Sequence, residues 1–106
     1  MIKTSSEPLV QRIEVVMSRR PGFQLQLAAR FAECAQEFRS AIHVRRGRIL
    51  ANGKNVLELL ILEAVWRSRL QIEAVGEDAA QAIEAIGDFF QIRKYARLAA
   101  AKKLYF

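Results

Sequence analysis

The stretch RPGFQLQLAARFAECAQEF, at residues 20–38, has the form of a loop that leads into a helix. Pro21 and Gly22 interrupt the regular pattern, and apolar residues then recur at helical spacing. The first turn of a helix presents backbone N–H groups without intrahelical partners, so such a junction can hold an anion. Here that turn carries two amides, Gln24 and Gln26, and no charged or nucleophilic side chain.

Other residue types that carry chemistry are scarce. The chain has one cysteine, Cys34, and one histidine, His43. A structural zinc site needs about four ligands of the Cys/His type, so we expect no metal. The sequence holds no paired-carboxylate, triad, Walker or dinucleotide motif, so we expect no cofactor and no enzymatic activity. Cys34 is predicted to be a small core residue, and His43 a solvated strand residue.

Length and composition predict one globular domain. The 106 residues are 52% hydrophobic and 26% charged, which is enough to bury a single core. A formal net charge of +6 permits acidic partners but selects none of them. The start of the chain lacks the apolar core of a signal peptide, and Glu58 and Glu63 interrupt the longest apolar region. With a single cysteine and no disulfide, the expected compartment is the cytoplasm.

Apolar periodicity divides the chain into strands and helices. Strands are predicted at 9–17, twice within 41–53 and at 69–76. Helices are predicted at 23–38, at 54–65 with Asn55 as N-cap, and from residue 77 onward. Short strands interleaved with three helices predict an α+β two-layer sandwich, with the helices on one face of a small antiparallel or mixed sheet.

Three segments carry a resemblance to a known family. PGFQLQLAARF is similar to an active-site motif, GKNVLELLIL to a second helix, and LQIEAVGEDAAQAI to a last strand and the helix start that follows it. Together they resemble the histidine-containing phosphocarrier family, HPr, of the bacterial sugar phosphotransferase system, without a gap from about residue 12 to about residue 90. The resemblance implies an open-faced sandwich, in which a four-stranded antiparallel sheet carries three helices on one face.

The departures from the family pattern concern its chemistry. By the resemblance, Gln24 stands at the position of the phosphorylated histidine and Gln26 at that of the arginine that steadies the phosphate. Asn55 stands at the regulatory serine of some members. An amide nitrogen is not a nucleophile because its lone pair is delocalised, and asparagine has no hydroxyl group. The chain is therefore predicted to be non-phosphorylatable at both positions.

The segment NVLELLILEAV is apolar on almost every side. Leu59 and Leu62 match core positions of the family, which predicts that other apolar residues of this helix face outward. We expect a partner-binding surface made of apolar side chains at the two helix starts: Phe23, Leu27, Val56, Leu57 and Leu60. The alternative is that the C-terminal tail of the same chain covers them.

The predicted domain organisation has a flexible segment at 1–8, an HPr-like domain at 9–91 and a basic helical extension at 92–106. The extension has the sequence IRKYARLAAAKKLYF, which contains basic residues and no acidic ones. A basic amphipathic helix can contact an acidic protein, RNA or an anionic membrane, and a solvated extension is the alternative.

The leading hypothesis is a regulatory or assembly module that works by protein–protein contact. Its partner would be a phosphotransferase-system component, a regulator or a second copy of the chain. The alternatives are a phosphocarrier with an unconventional site and a nucleic-acid-binding module that uses the basic strands and tail. The lack of exposed aromatic platforms on the strands weakens the nucleic-acid hypothesis. Nucleic acid or an anionic membrane is possible through the basic tail but is not favoured.

Overall fold

The structure, a computed structural model, describes residues 9–18, 22–65 and 67–90. Within these ranges the elements are, in chain order, β1 (Val10–Val16), α1 (Leu25–Gln36), β2 (Ala41–Arg46), β3 (Ile49–Asn52), α2 (Val56–Ile61), β4 (Arg69–Val75) and α3 (Ala79–Phe89). The predicted flexible segment at 1–8 and the basic extension at 92–106 lie outside the described residues.

The strands form one antiparallel sheet in the order β1-β4-β2-β3. Ile72 of β4 lies at its centre, opposite Ile13 of β1 and opposite Val44 of β2. Since side chains alternate between the two faces of a strand, this register places one apolar row on the inner face. The prediction of an α+β sandwich with a four-stranded antiparallel sheet and three helices is confirmed.

The core lies between the inner face of the sheet and the three helices, which all contribute buried residues to one cluster. Three aromatic rings pack together within this cluster. The ring of Phe31, in α1, lies 5.5 Å from that of Phe23 and 5.9 Å from that of Phe90, centroid to centroid. Burial of each of these side chains stabilises the fold by roughly 1.5–3 kcal/mol. The residues just before α1 and just after α3 are thereby held together.

The second helix is shorter than its apolar pattern predicts. It ends at Ile61 rather than near residue 65, because Glu63 adopts a left-handed backbone conformation with φ of 53°. Carbonyl groups of the segment after the helix then accept hydrogen bonds from other parts of the chain. Arg46 Nε donates to the Leu62 carbonyl at 2.6 Å, and the Phe23 N–H donates to the Ala64 carbonyl at 2.9 Å. The end of α2 thus ties the β2–β3 hairpin and the start of α1 to each other.

The helix starts differ in how they are capped. Asn55 caps α2 as predicted, since its side-chain oxygen accepts a hydrogen bond from the Glu58 N–H at 3.1 Å. Gln24, the N-cap residue of α1, makes no such side-chain bond.

In the part of the chain that the structure describes, no helix combines the length and the apolar character that crossing a membrane requires.

Candidate functional site

The N-terminal end of α1 is held in place by the segment that follows α2. Gly22 forms a bridge with Val65, and its φ of 117° is one that other residues rarely adopt. A Cβ at this position would come within 2.1 Å of the Ala64 carbonyl oxygen. Only glycine lets the two segments approach so closely, and Gln24 is therefore presented on a fixed backbone.

The side chains at this helix start are amides. Gln24 has an extended backbone, with φ of −104° and ψ of 175°, and its carbonyl accepts the Ala28 N–H at 2.8 Å. Gln24 and Gln26 are both exposed, and the first turn of α1 contains no acidic residue. An amide can donate and accept hydrogen bonds, but it cannot act as a nucleophile or supply a cation. The chemistry available here is neutral hydrogen bonding.

The five predicted contact residues differ in how much of each side chain is exposed to solvent. Leu57 is 70% exposed, as expected of a contact residue, whereas Phe23 is only 8% exposed. Leu27, Val56 and Leu60 are half-buried and pack against the core. Whether any of them binds a partner stays a prediction.

The predicted surface was wrong about the direction in which Phe23, Val56 and Leu60 face. Phe23 does not face solvent, because its ring packs edge-on against Phe31 and lies 6.4 Å from that of Phe90. Val56 and Leu60 turn toward the core with Leu59, since residues three and four apart share one face of a helix. The prediction had assigned them to the opposite side.

The large apolar residues that are exposed in α1, in α2 and in the segment after α2 share only Leu57 with the predicted set, and we call them the α1–α2 patch: Leu25, Leu57, Ile61 and Val65. Their exposed fractions are 65%, 70%, 64% and 60%. Leu57 and Ile61 are one helical turn apart, and Val65 lies opposite Gly22 in the bridge. Helical spacing from Leu57 was enough to indicate Ile61, whereas Leu25 and Val65 needed the tertiary structure.

His43 lies on the other side of the sheet from α1. Its strand neighbours Ile42 and Val44 are buried in the core, so His43 faces outward, with a side chain 42% exposed. Its Nδ1 lies 3.6 Å from a carboxylate oxygen of Glu73. The prediction of a solvent-facing strand residue is confirmed.

Cys34 is half-buried rather than fully enclosed in the core. Burial, and to a smaller extent the neighbouring Glu37 carboxylate, raise the pKa of its thiol, which keeps the thiol protonated near neutral pH. Among the described residues, no group of three or more His, Cys, Asp or Glu side chains could hold a metal ion.

Comparison with known proteins identifies the family. Residues 11–91 match the family model described as "PTS HPr component phosphorylation site". The chain belongs to the HPr family. The resemblance predicted from its sequence segments is thereby confirmed.

Individual relatives agree with this assignment. The phosphocarrier protein HPr of Neisseria meningitidis is 29% identical over 80 residues, which are 76% of this chain and 88% of that protein. The crystal structure of HPr from Bacillus anthracis is 26% identical, with a TM-score of 0.72 over 76% of this chain and 95% of that one. The solution structure of Crh, the Bacillus subtilis catabolite repression HPr, is 25% identical, with a TM-score of 0.57 over 76% and 94%.

Proposed function

We propose that this HPr-like protein is not phosphorylated at the start of α1 and acts in the cytoplasm as a regulatory or assembly module through protein–protein contact. The observation that carries the proposal is the pair of exposed amides at this helix start, Gln24 and Gln26, on a backbone that Gly22 fixes. Neither amide can accept a phosphoryl group as a histidine nitrogen does. What this end of the molecule retains is a rigid surface.

The α1–α2 patch supports contact with a protein partner. Its four apolar side chains are each at least 60% exposed, although leucine, isoleucine and valine are usually buried. Exposed apolar side chains that cluster on one part of a monomer mark an interaction surface. The partner we favour is a phosphotransferase-system component or a regulator, with a second copy of the chain as the alternative. The similarity to Crh, which is a catabolite repression HPr, favours a regulatory role.

A phosphocarrier with an unconventional site is the second candidate. The match to a family model named for its phosphorylation site, and the similarity to the Neisseria phosphocarrier, favour it. In this chain such a carrier would have to use His43, since the sequence contains no other histidine. His43 lies on the outer face of the sheet, so its phosphoryl donor would have to approach from the side opposite α1.

Phosphorylation by phosphoenolpyruvate and the general enzyme of the phosphotransferase system separates the two candidates. The Neisseria HPr serves as the positive control, and the intact mass of each protein reports the result. We expect the mass of this chain to stay unchanged while that of the control rises by one phosphoryl group. A stoichiometric gain in this chain that disappears in His43→Gln would establish the second candidate and overturn the proposal.

A further inference from the structure

The outer face of the sheet, which no helix described in the structure covers, contains an open cavity of about 410 Å³. This volume lies within the range of small-molecule sites, roughly 300–1,000 Å³. Side chains from all four strands line the cavity. The strand register arranges most of them in two rows that run across the sheet.

In the first row, the acidic side chain pairs with the basic side chains beside it. Glu73 of β4 lies between Arg12 of β1 and His43 of β2, its partners in the register. Arg12 Nε donates a hydrogen bond to one Glu73 oxygen at 2.9 Å, and Arg12 Nη2 forms an ion pair with the same oxygen at 2.9 Å. The other Glu73 oxygen lies 3.6 Å from His43 Nδ1. One carboxylate therefore orients two basic side chains and has little capacity left to attract a further cation.

The second row leaves a cation exposed. It runs from Glu14 through Gln71 and Arg45 to Leu50. The carboxylate of Glu14 forms an ion pair with Arg69, whose guanidinium group lies 3.6 Å away and does not line the cavity. Within the described ranges, the Arg45 side chain has neither a hydrogen bond nor an ion pair. Both carboxylates that line the cavity thus pair with other basic groups, and among the described residues the charge of Arg45 has no such partner.

We propose that this cavity binds a small organic anion, with Arg45 holding its carboxylate or phosphate group. A guanidinium presents paired N–H donors that match two oxygens of either group. The amide of Gln71, on the neighbouring strand, can hydrogen-bond a polar substituent of the same ligand. Leu50, 58% exposed at the far end of the row, offers apolar contact to the ligand's body. The site is separate from the α1–α2 patch and does not depend on the proposed function.

Titration of the full-length, ¹⁵N-labelled protein by NMR tests the site. The probes are phenyl phosphate and benzoate, which combine an anionic group with an apolar ring, and benzamide is their neutral counterpart. We expect saturable shifts of the backbone signals of Arg45, Leu50 and Gln71 with at least one of the two anions and none with benzamide. Binding of one anion alone would identify the acidic group that the site prefers.

Two variants with the same change of charge decide whether Arg45 is responsible. Arg45→Gln should weaken binding about tenfold or more, as loss of a charge-assisted contact predicts. Arg48→Gln lies in the turn of the same hairpin, outside the cavity, and should bind like the wild type. Equal weakening by both variants, unchanged binding by Arg45→Gln, or the absence of saturable shifts with both anions would overturn the proposal. Unchanged thermal unfolding of the variants confirms that they remain folded.

Discussion

At position 24 the difference between an amide and an imidazole decides whether phosphoryl chemistry is possible. We expect Gln24→His to accept a phosphoryl group slowly from phosphoenolpyruvate and the general phosphotransferase enzyme. The double variant with Gln26→Arg should react about tenfold faster or more, because a charge-assisted bond to phosphate is worth roughly 1.5–3 kcal/mol. The rate of mass gain measures both reactions.

The control for this pair is Gln81→His, which adds a histidine to an exposed position of α3. It should stay unmodified, since residue 81 belongs to α3 and the N–H groups that could bind the phosphate belong to the start of α1. Equal rates for the single and double variants would mean that a cation at position 26 contributes nothing to phosphate binding.

Asp78 stabilises the loop between α1 and β2 in a pH-dependent way. Its carboxylate accepts hydrogen bonds from the Ser40 hydroxyl and from the N–H groups of Arg39 and Ser40. These bonds, the Ser40 hydroxyl first, hold the pKa of Asp78 below its ordinary value. With the folded-state pKa below the unfolded one, this stabilisation is complete above the ordinary carboxyl pKa and is lost as the pH falls through the lowered value.

We therefore expect Asp78→Asn to lower the melting temperature near neutral pH and to approach the wild type only in acid below the lowered pKa of Asp78. Thermal unfolding followed by circular dichroism at several pH values measures the difference. Glu77→Gln, at the exposed neighbouring residue, is the matched control and should change stability little at either pH. If the difference in melting temperature between Asp78→Asn and the wild type persists unchanged in acid, it does not come from the hydrogen bonds of the ionised Asp78 carboxylate.

At the scale of the element, α2 presents two opposite faces that substitutions can distinguish. Leu57 is 70% exposed and Leu59 is fully buried. Leu59→Ala should lower the free energy of unfolding by about 2–5 kcal/mol, the usual cost of a cavity in a core. Leu57→Ala should lower it by only about 0.5 kcal/mol or less, as for other surface substitutions. Chemical denaturation measures both values.

The exposed face of α2 should matter for association instead. We expect Leu57→Asp and Ile61→Asp to lose a protein partner in a binding assay, or to become monomeric if the wild type self-associates in sedimentation. Their melting temperatures should stay close to that of the wild type. A large fall in the melting temperature of Leu57→Asp would show that this side chain belongs to the core, and the docking model would fail.

At the scale of the whole molecule, the last core residue within the described ranges is Phe90. This residue is 1% exposed, its ring packs against Phe31, and its carbonyl accepts a hydrogen bond from the Ser18 hydroxyl at 3.2 Å. A chain that ends after residue 91 should therefore unfold cooperatively, as small single domains do. Calorimetry of the truncated and full-length proteins makes the comparison.

The matched variant for the truncation is Phe90→Ala, which should destabilise the full-length protein by about 3–5 kcal/mol. The truncated chain should also lose affinity for a partner that the basic extension contacts. Loss of the cooperative transition on truncation would mean that residues 92–106 form part of the core.

Much of the fold could be predicted from local pattern. Alternation in RLQIEAVG indicated a strand at 69–76, and β4 is found there with its alternate residues Leu70, Ile72 and Ala74 all buried. Asn55 was recognised as an N-cap, because capping involves residues within one helical turn. The candidate site was predicted less well. Its two amides were located from the sequence, but the apolar residues beside them were only partly identified.

The amino-acid sequence by itself determined the strands, the helices, the family and the absence of a histidine at the start of α1. Each of these depends on residue identity and on spacings of a few positions. Only the tertiary structure decided that Phe23 is buried, and only it brought Arg12 to Glu73, 61 positions away in the chain. The reason is physical: burial and strand register depend on which distant segments pack together, and local periodicity does not contain that information.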